Sequence, residues 1–501
     1  MSIELLLPDG VDFDRLASAV SSSGLIAEDE GQGEARRTYY DTFDGRLRAG
    51  GRPAVYENGR LGLNGVSVGL DRPPDRMLAA ELSPGRFRDA LEPLIDVRAL
   101  LPLADLQIEE RRLRILDSER KTVVRASIER PSLADSGQAL RARVRLAALR
   151  GYDSELARVQ TVLERDLGIL RAPLSVIDEA VTALGGHPGG VSSKIDVHLS
   201  VGQRADEAAI AVLVRLLEVI EENVEGTIGD LDSEFLHDLR VSVRRSRSVQ
   251  RQLMGVFPPD ELARFRSEFR WLQSVTGDAR DLDVYVLDFE DMRALVGPAM
   301  RADLDPLLAV LGKRRRAAHR RMVTALRSKR FANLGADWRG LLDRLPSLPD
   351  AERPDATTAI GALAGRRIAK VYERIVGEGQ AIDERGPSEP FHELRKRGKE
   401  LRYLLELFGS PLYPSEVVKP MVKSLKGLQD VLGRHQDREV QIAKLGSLAA
   451  ELADNQAALL ATGALIARLD DDKWMARGEF AGRFAPFASS SQLALVKETF
   501  T

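Results

Sequence analysis

His237 to Arg247 reads H-D-L-R-V-S-V-R-R-S-R, and His392 to Arg402 reads H-E-L-R-K-R-G-K-E-L-R. The stretches lie 155 residues apart and place basic side chains at i, i+3, i+7 and i+10: His237, Arg240, Arg244 and Arg247 in one, His392, Arg395, Lys399 and Arg402 in the other. On a helix of 3.6 residues per turn these positions share one face over three turns. A single stripe of this kind is an ordinary solvated helix face. Two in the same register predict a duplicated helical unit presenting two positive faces to one anionic partner.

A second pair of segments supports the duplication. Leu272 to Val284 reads L-Q-S-V-T-G-D-A-R-D-L-D-V, and Leu428 to Val440 reads L-Q-D-V-L-G-R-H-Q-D-R-E-V, now at an offset of 156. A one-residue loop insertion accounts for the slip. Just upstream Arg270 corresponds to Lys426, basic on basic. A fixed long period with matching chemistry is the mark of an internal repeat. Asp281 with Asp283, and Asp437 with Glu439, read as helix caps or arginine partners, so no metal site is expected. Gly277 and Gly433 read as helix ends or tight turns.

From about residue 205 the apolar residues recur every three or four positions, the helical period, and Pro346, Pro349 and Pro354 separate the two halves. The region before about residue 185 is mixed. Ile3 to Leu7 is a short apolar run stopped by Pro8-Asp9-Gly10; Thr122 to Ile128 and Arg141 to Leu146 alternate with strand period; Asp153 to Leu167 has helical spacing. Gly185 to Gly190 is a breaker. The expected organisation is α+β: an N-terminal domain over 1–185, a linker over 186–200, and an all-α domain over 201–501 with halves at about 201–345 and 356–501.

The chain has 501 residues, 30% of them charged, and no cysteine, which excludes disulfides and thiolate metal sites. No apolar run approaches the roughly 18–20 residues that span a bilayer, and Met1-Ser2-Ile3-Glu4 lacks a secretory start. A cytoplasmic protein without membrane partners is expected. The net charge of −3 conceals segregation: residues 1–200 carry 27 Lys and Arg against 31 Asp and Glu, and the remainder 46 against 45. Lys313 to Arg330 holds nine Lys and Arg, with His319 and no acid. That segment is not duplicated, so it reads as a solvated face.

On the motifs L-H-D-L-R-V-S-V-R-R-S-R, F-H-E-L-R-K-R-G-K-E-L-R-Y, G-D-A-R-D-L-D-V and L-Q-D-V-L-G-R-H-Q-D, residues of about 200–500 resemble the conserved-histidine α-helical domain, CHAD. The resemblance implies two pseudo-symmetric helical bundles around a basic groove that binds inorganic polyphosphate. The first 185 residues resemble the CYTH triphosphatase fold, an antiparallel β-barrel or tunnel, on Tyr39-Tyr40-Asp41-Thr42-Phe43-Asp44 with Leu47. That family opens with E-x-E-x-K; here Glu4 is followed by Leu6 and Pro8, and Arg143 and Arg145 stand where its late strand carries acids. Guanidiniums cannot hold a divalent metal in place of carboxylates, so a degenerate, non-catalytic domain is expected, with no catalytic residues, metal or cofactor.

The residue types suit a polyanion with no bases to read. Arginine pairs two phosphate oxygens at once and lysine adds a point charge. The expected polyphosphate contacts are His237, Arg240, Arg244, Arg247, Arg270, His392, Arg395, Lys399, Arg402 and Lys426. For the two histidines, ligand contact and a packed structural role both remain open. Reversing the charge of Arg240 and Arg395 together is expected to weaken binding and leave helicity intact. No series of aromatics interleaves the bases, which argues against a specific nucleic-acid partner. The rivals are metal-dependent triphosphate or polyphosphate hydrolysis by the N-terminal domain, and a scaffold on storage granules or nucleic acid.

Overall fold

The computed structural model describes residues 2–191 and 193–500. The chain divides into two compact units, 1–192 and 193–501.

The first unit is built on one nine-stranded antiparallel sheet. Its strands are β1 (Ser2–Leu6), β2 (Ile26–Asp41), β3 (Ala54–Glu57), β4 (Arg60–Leu63), β5 (Val66–Gly69), β6 (Met77–Leu78), β7 (Ala99–Leu116), β8 (Thr122–Leu133) and β9 (Arg143–Ala148). The pairing order is β1-β9-β8-β7-β2-β3-β4-β5, with β6 on β7. Among the described residues no ladder joins the ends, β1 and β5. The alternating runs expected from sequence are β8 and β9, the Ile3 run is β1, and the helix at Asp153–Leu167 has the expected bounds. β2 and β7 form the long central pair, and their register shifts between Asp29 and Gly31. Gly31 sits at φ 101°, a conformation open to glycine and costly for a side chain.

The Tyr39–Asp44 segment has a local structural task. Asp41, 2% exposed, accepts backbone hydrogen bonds from Thr42 (2.7 Å), Leu47 (2.7 Å) and Arg48 (2.8 Å), and so secures the short helix Arg46–Ala49 to the end of β2.

The second unit is helical. Its first repeat contains helices Ala205–Glu222, Ser233–Gln252, Pro259–Val275, Gly277–Leu287, Asp305–Leu326 and Lys329–Arg344; its second contains Ile360–Gln380, Glu389–Leu404, Ser415–Ser447 and Gln456–Gly478, closed by two shorter helices. A pseudo-two-fold axis relates the repeats, and the backbone marks where it passes. Arg204 and Ala359, equivalent at the offset of 155, form an antiparallel bridge with each other. The Ala205 N–H donates to Thr358 O (2.9 Å), and its symmetry mate, the Ile360 N–H, donates to Gln203 O (2.8 Å). A contact in which i meets j′ while j meets i′ is what two-fold symmetry requires.

One apolar core runs through both repeats. In the first it is anchored by Trp338, fully buried against Phe257, Phe265 and Phe269; in the second Tyr372 packs on Phe487 and Phe391 on Phe480. Among the described residues no helix is long and apolar enough to cross a membrane.

Candidate functional site

The two stripes occupy helices Ser233–Gln252 and Glu389–Leu404. In the first, the Asp232 carboxylate caps the helix by accepting from the Glu234 (2.8 Å) and Phe235 (3.4 Å) N–H groups. Leu236, Leu239, Val243 and Val249 bury one side, which leaves the stripe on the other. In the second, Phe391, Leu394, Leu401 and Leu404 are buried. Amphipathic spacing thus decides which way each stripe points.

The stripe helices face each other across the axis, and the residues that break the charge symmetry hold them there. Arg245 and Glu400 are repeat equivalents, as are Arg251 and Glu406. Arg245 pairs with Glu406 (2.9 Å) and Arg251 with Glu400 (3.3 Å), while Gln252 donates to Glu400. Arginine at both positions in one repeat and glutamate at both in the other converts a like-charge clash into two crossed ion pairs. Tyr285 adds a hydrogen bond from its hydroxyl to Val440 O (3.2 Å).

Three cavities open along this junction, and all are lined by the equivalent pair Arg244 and Lys399. The first, about 390 Å³, adds Arg247, Arg251, Arg266, Arg270, Lys396 and Arg397 against two acids, Glu393 and Glu400. The second, also about 390 Å³, adds His237, Arg395 and Arg402; the third, about 730 Å³, adds His237, Arg240, Arg280, His392 and Arg395. Nine of the ten residues expected at the site therefore meet around one pair. Lys426 is exposed and lines none of these three cavities. Arg266, Arg280, Lys396 and Arg397 join without having been expected. Arg266 precedes Arg270 by four residues, one helical turn, which was the available signal.

The cations differ in how they are held. Arg244, Arg247, Arg266, Arg270 and Lys399 have no carboxylate within ion-pair distance among the described residues, whereas Glu393 is taken by Lys396 (2.6 Å) and Glu400 by Arg251 and Gln252. Burial pushes Lys399 down from its ordinary 10.5 to about 8, and the charges of Arg395 and Arg244 add to the depression. Arg247 is lowered too, by burial and then by its arginine neighbours.

Arg240 is 9% exposed and bound into the fold: one nitrogen donates to Gln273 O (2.8 Å) and Thr276 Oγ1 (2.8 Å). Burial lowers it to about 10, so it remains charged at neutral pH. Its equivalent Arg395 reaches Asp437 (2.9 Å), and Arg402 pairs with Glu406 (2.6 Å). His392 Nε2 lies 2.5 Å from Glu439 Oε2, so this histidine is tied to the neighbouring helix and also lines a cavity. Beside it His435 is fully buried, and burial depresses it to about 4.

One expectation is corrected. Gly277 does begin a helix, but Gly433 lies inside the continuous 33-residue helix Ser415–Ser447. Arg240 occupies the Gln273 carbonyl, which would otherwise accept from Gly277, and Thr276 sits at the break between the two helices. The second repeat has Leu432 in place of Thr276 and stays helical.

The Lys313–Arg330 run is neutralised in part: Arg314 pairs with Glu451, Arg315 with Asp283 (2.5 Å) and Asp230 (2.5 Å), Arg321 with Asp278 (3.3 Å), and Arg330 with Glu268 (2.8 Å). In the sheet unit, Arg143 is 1% exposed and pairs with Glu4 (3.3 Å) and Glu179, while Arg37 pairs with Glu57 (2.9 Å), Glu110 (3.2 Å) and Glu129 (3.0 Å).

Comparison with known proteins places this site in a family context. Residues 211–446 match the family model described as CHAD domain. Two proteins of Mycobacterium tuberculosis, from strains CDC 1551 / Oshkosh and ATCC 25618 / H37Rv and both named as uncharacterised, are each 31% identical over 216 residues. The match takes in 41% of this chain and 39% of each relative, so it spans about two fifths of the length of those curated proteins. Among solved structures, the CHAD domain from the plant Ricinus communis is similar at a TM-score of 0.49 and 27% identity, covering 58% of this chain and 94% of that one. PptA from Streptomyces chartreusis is similar at a TM-score of 0.44 and 18% identity, covering 56% of this chain and 99% of that one. With the stripes, the repeat axis and the family match on one segment, residues 211–446 of the helical unit are a CHAD domain.

Proposed function

We propose that the helical unit binds inorganic polyphosphate in a basic groove between its two stripe helices, without catalysis. The observation that carries this reading is the set of five cations, Arg244, Arg247, Arg266, Arg270 and Lys399, that face one junction and have no carboxylate partner among the described residues. Most other arginines of the unit are ion-paired, so clustering unneutralised charge here costs stability through mutual repulsion. A polyanion recovers that cost. Adjacent cavities sharing Arg244 and Lys399 suit a chain in preference to a single phosphate, and the scarcity of stacking aromatics disfavours single-stranded nucleic acid.

The sheet unit is proposed to be non-catalytic. Its candidate acids are already neutralised by Arg143 and Arg37, and carboxylates held in such pairs are poor ligands for a divalent cation. Cytoplasmic residence and association with polyphosphate-containing granules follow as parts of the same proposal.

The test is a titration of the full chain with long-chain polyphosphate at two salt concentrations, with DNA and ATP as competitors and free phosphate monitored. The reading expects tight binding that weakens steeply with salt, poor displacement by DNA, and no phosphate release. Metal-dependent phosphate release favours the hydrolase instead; binding that DNA matches leaves the scaffold.

A further inference from the structure

The first two cavities are repeat equivalents that have drifted apart in charge. Each holds about 390 Å³ and contains the pair Arg244 and Lys399. The offset of 155 carries Arg247, Arg251 and Glu400 of the first onto Arg402, Glu406 and Arg245 of the second. Arg244, Arg247, Arg266, Arg270 and Lys399 all line the first cavity, whereas of these the second has only Arg244 and Lys399. One exchange explains part of the difference. Arg402 is followed four residues on by Glu406 and pairs with it (2.6 Å), while Arg247 is followed four residues on by Arg251. The rest comes from helix Pro259–Val275, whose exposed Arg266 and Arg270 have Val422 and Lys426 as counterparts, and neither counterpart lines the second cavity. Gln250 also lines the first cavity; it is fully buried, and neither its amide nitrogen nor its oxygen has a hydrogen-bond partner. Its counterpart is the apolar Leu405.

We propose that the first cavity receives the terminal phosphoryl group of a polyphosphate chain, so that the protein recognises chain ends. The inference rests on the polyphosphate reading and adds a register to it. An interior unit carries one charge on two non-bridging oxygens. A terminal unit has three such oxygens and, like a phosphomonoester, a charge of about −1.5 to −2 at pH 7. The cavity with surplus cations matches the unit with surplus charge, because the added oxygen takes a further charge-assisted bond. The Gln250 amide, whose donor is otherwise unmet at a cost, is a neutral donor for that third oxygen. The second cavity, with Arg402 neutralised by Glu406, suits singly charged interior units.

The test titrates the full chain with a short linear polyphosphate of one length, first unmodified and then with both ends blocked as alkyl phosphoramidates. Blocking leaves each terminal unit with one charge and two non-bridging oxygens, like an interior unit. The unmodified chain should bind about 10-fold more tightly. Arg266→Gln with Arg270→Gln should bring that ratio close to 1, whatever affinity remains. Gln250→Leu, which installs the second repeat's residue, should lower the ratio to about 3. It should also raise the denaturation midpoint, since two unmet polar groups leave the interior; a purely structural role would move the midpoint alone. Circular dichroism checks the fold of both variants. Equal affinity for the two chains in the unaltered protein, or an unchanged ratio in either folded variant, overturns the inference and leaves polyphosphate binding standing. Pyrophosphate that binds as tightly as the unmodified chain assigns the cavity to a small free phosphate and overturns it too. Failure of both chains to bind defeats the polyphosphate reading, and the chain-end register falls with it.

Discussion

In the first repeat Arg240 is spent on structure, bonded to Gln273 O and Thr276 Oγ1 at a helix break; in the second its equivalent Arg395 reaches Asp437 on an unbroken helix. Arg244 and Lys399, the next pair along, keep the symmetry, and both face the shared cavities. Duplication produced two equal stripes, and packing then divided their labour. Arg244 and Lys399 stayed open to a ligand, while Arg240, Arg395 and Arg402 became supports. A residue's place in the stripe therefore predicts its role less well than what the neighbouring helix offers it.

The strongest way to break this comparison is at the axis. Arg244→Glu with Lys399→Glu should weaken polyphosphate binding by roughly 100-fold or more, and the single changes by about 10-fold each. The salt dependence should flatten by about 1.5 in the slope of log affinity against log salt, since two phosphate contacts are lost. Helical content should hold, because neither residue has an internal partner to forfeit. The Arg240 and Arg395 pair suggested by the stripes alone is the poorer test: a glutamate at the buried 240 position would face the Gln273 carbonyl and unfold the helix break. Equal affinity in the Arg244 and Lys399 double variant would remove the junction from the site.

The crossed clamps come next. Arg245→Glu sets two carboxylates together at Glu406 and should cost about 1–3 kcal/mol by chemical denaturation. Adding Glu406→Arg should restore most of it, with a coupling energy that a double-mutant cycle reads directly. Independent, additive effects would show that the pair does not hold the stripe helices in register.

Lys399 sharpens the contrast between fold and function. Its lysine is held at about 8 against an ordinary 10.5, so the unfolded chain binds more protons than the folded one between those values. Stability of the free protein therefore rises as pH increases through that window, and the charged lysine is a burden below it. Lys399→Met should stabilise the free protein by on the order of 2 kcal/mol and weaken polyphosphate binding about 10-fold. Binding in the unaltered protein should take up a proton above pH 8, so affinity falls as pH rises from 8, by no more than about 10-fold per unit for one site. A thermal melt and a pH series of titrations separate the two effects.

Much of this was legible in the residues. Helical period, the fixed offset and strand alternation delivered the α+β division, because burying an apolar face leaves a periodic trace. Nine of the ten expected site residues meet for the same reason: one face of a helix is a sequence property. What one face meets across space is not. Arg245 and Arg251 stand where the other repeat has Glu400 and Glu406, so the repeat does not mark them, and their crossed pairing with Glu406 and Glu400 depends on an axis that only the packed repeats reveal. The burial of His435 beside His392 was hidden likewise, since the two lie 43 residues apart on different helices. Lys426 failed because its match to Arg270 was chemical while its place on the helix faces solvent.

The smallest expected effect tests why the repeats diverge at their centre. Thr276 is fully buried; its hydroxyl donates to Leu272 O (2.8 Å) and accepts from Arg240, and these bonds coincide with the break that Leu432 does not share. Thr276→Val keeps the shape and removes the hydroxyl, which leaves one Arg240 donor with only the Gln273 carbonyl. The cost should be about 1 kcal/mol, read from the denaturation midpoint at unchanged slope. Polyphosphate affinity should change by less than about 3-fold, because Arg240 acts here as a support. A large loss of affinity with little loss of stability would reverse that assignment and return Arg240 to the ligand-contacting stripe. The first repeat would then be as open as the second, and the division of labour between them would fail at the residue on which it rests most directly.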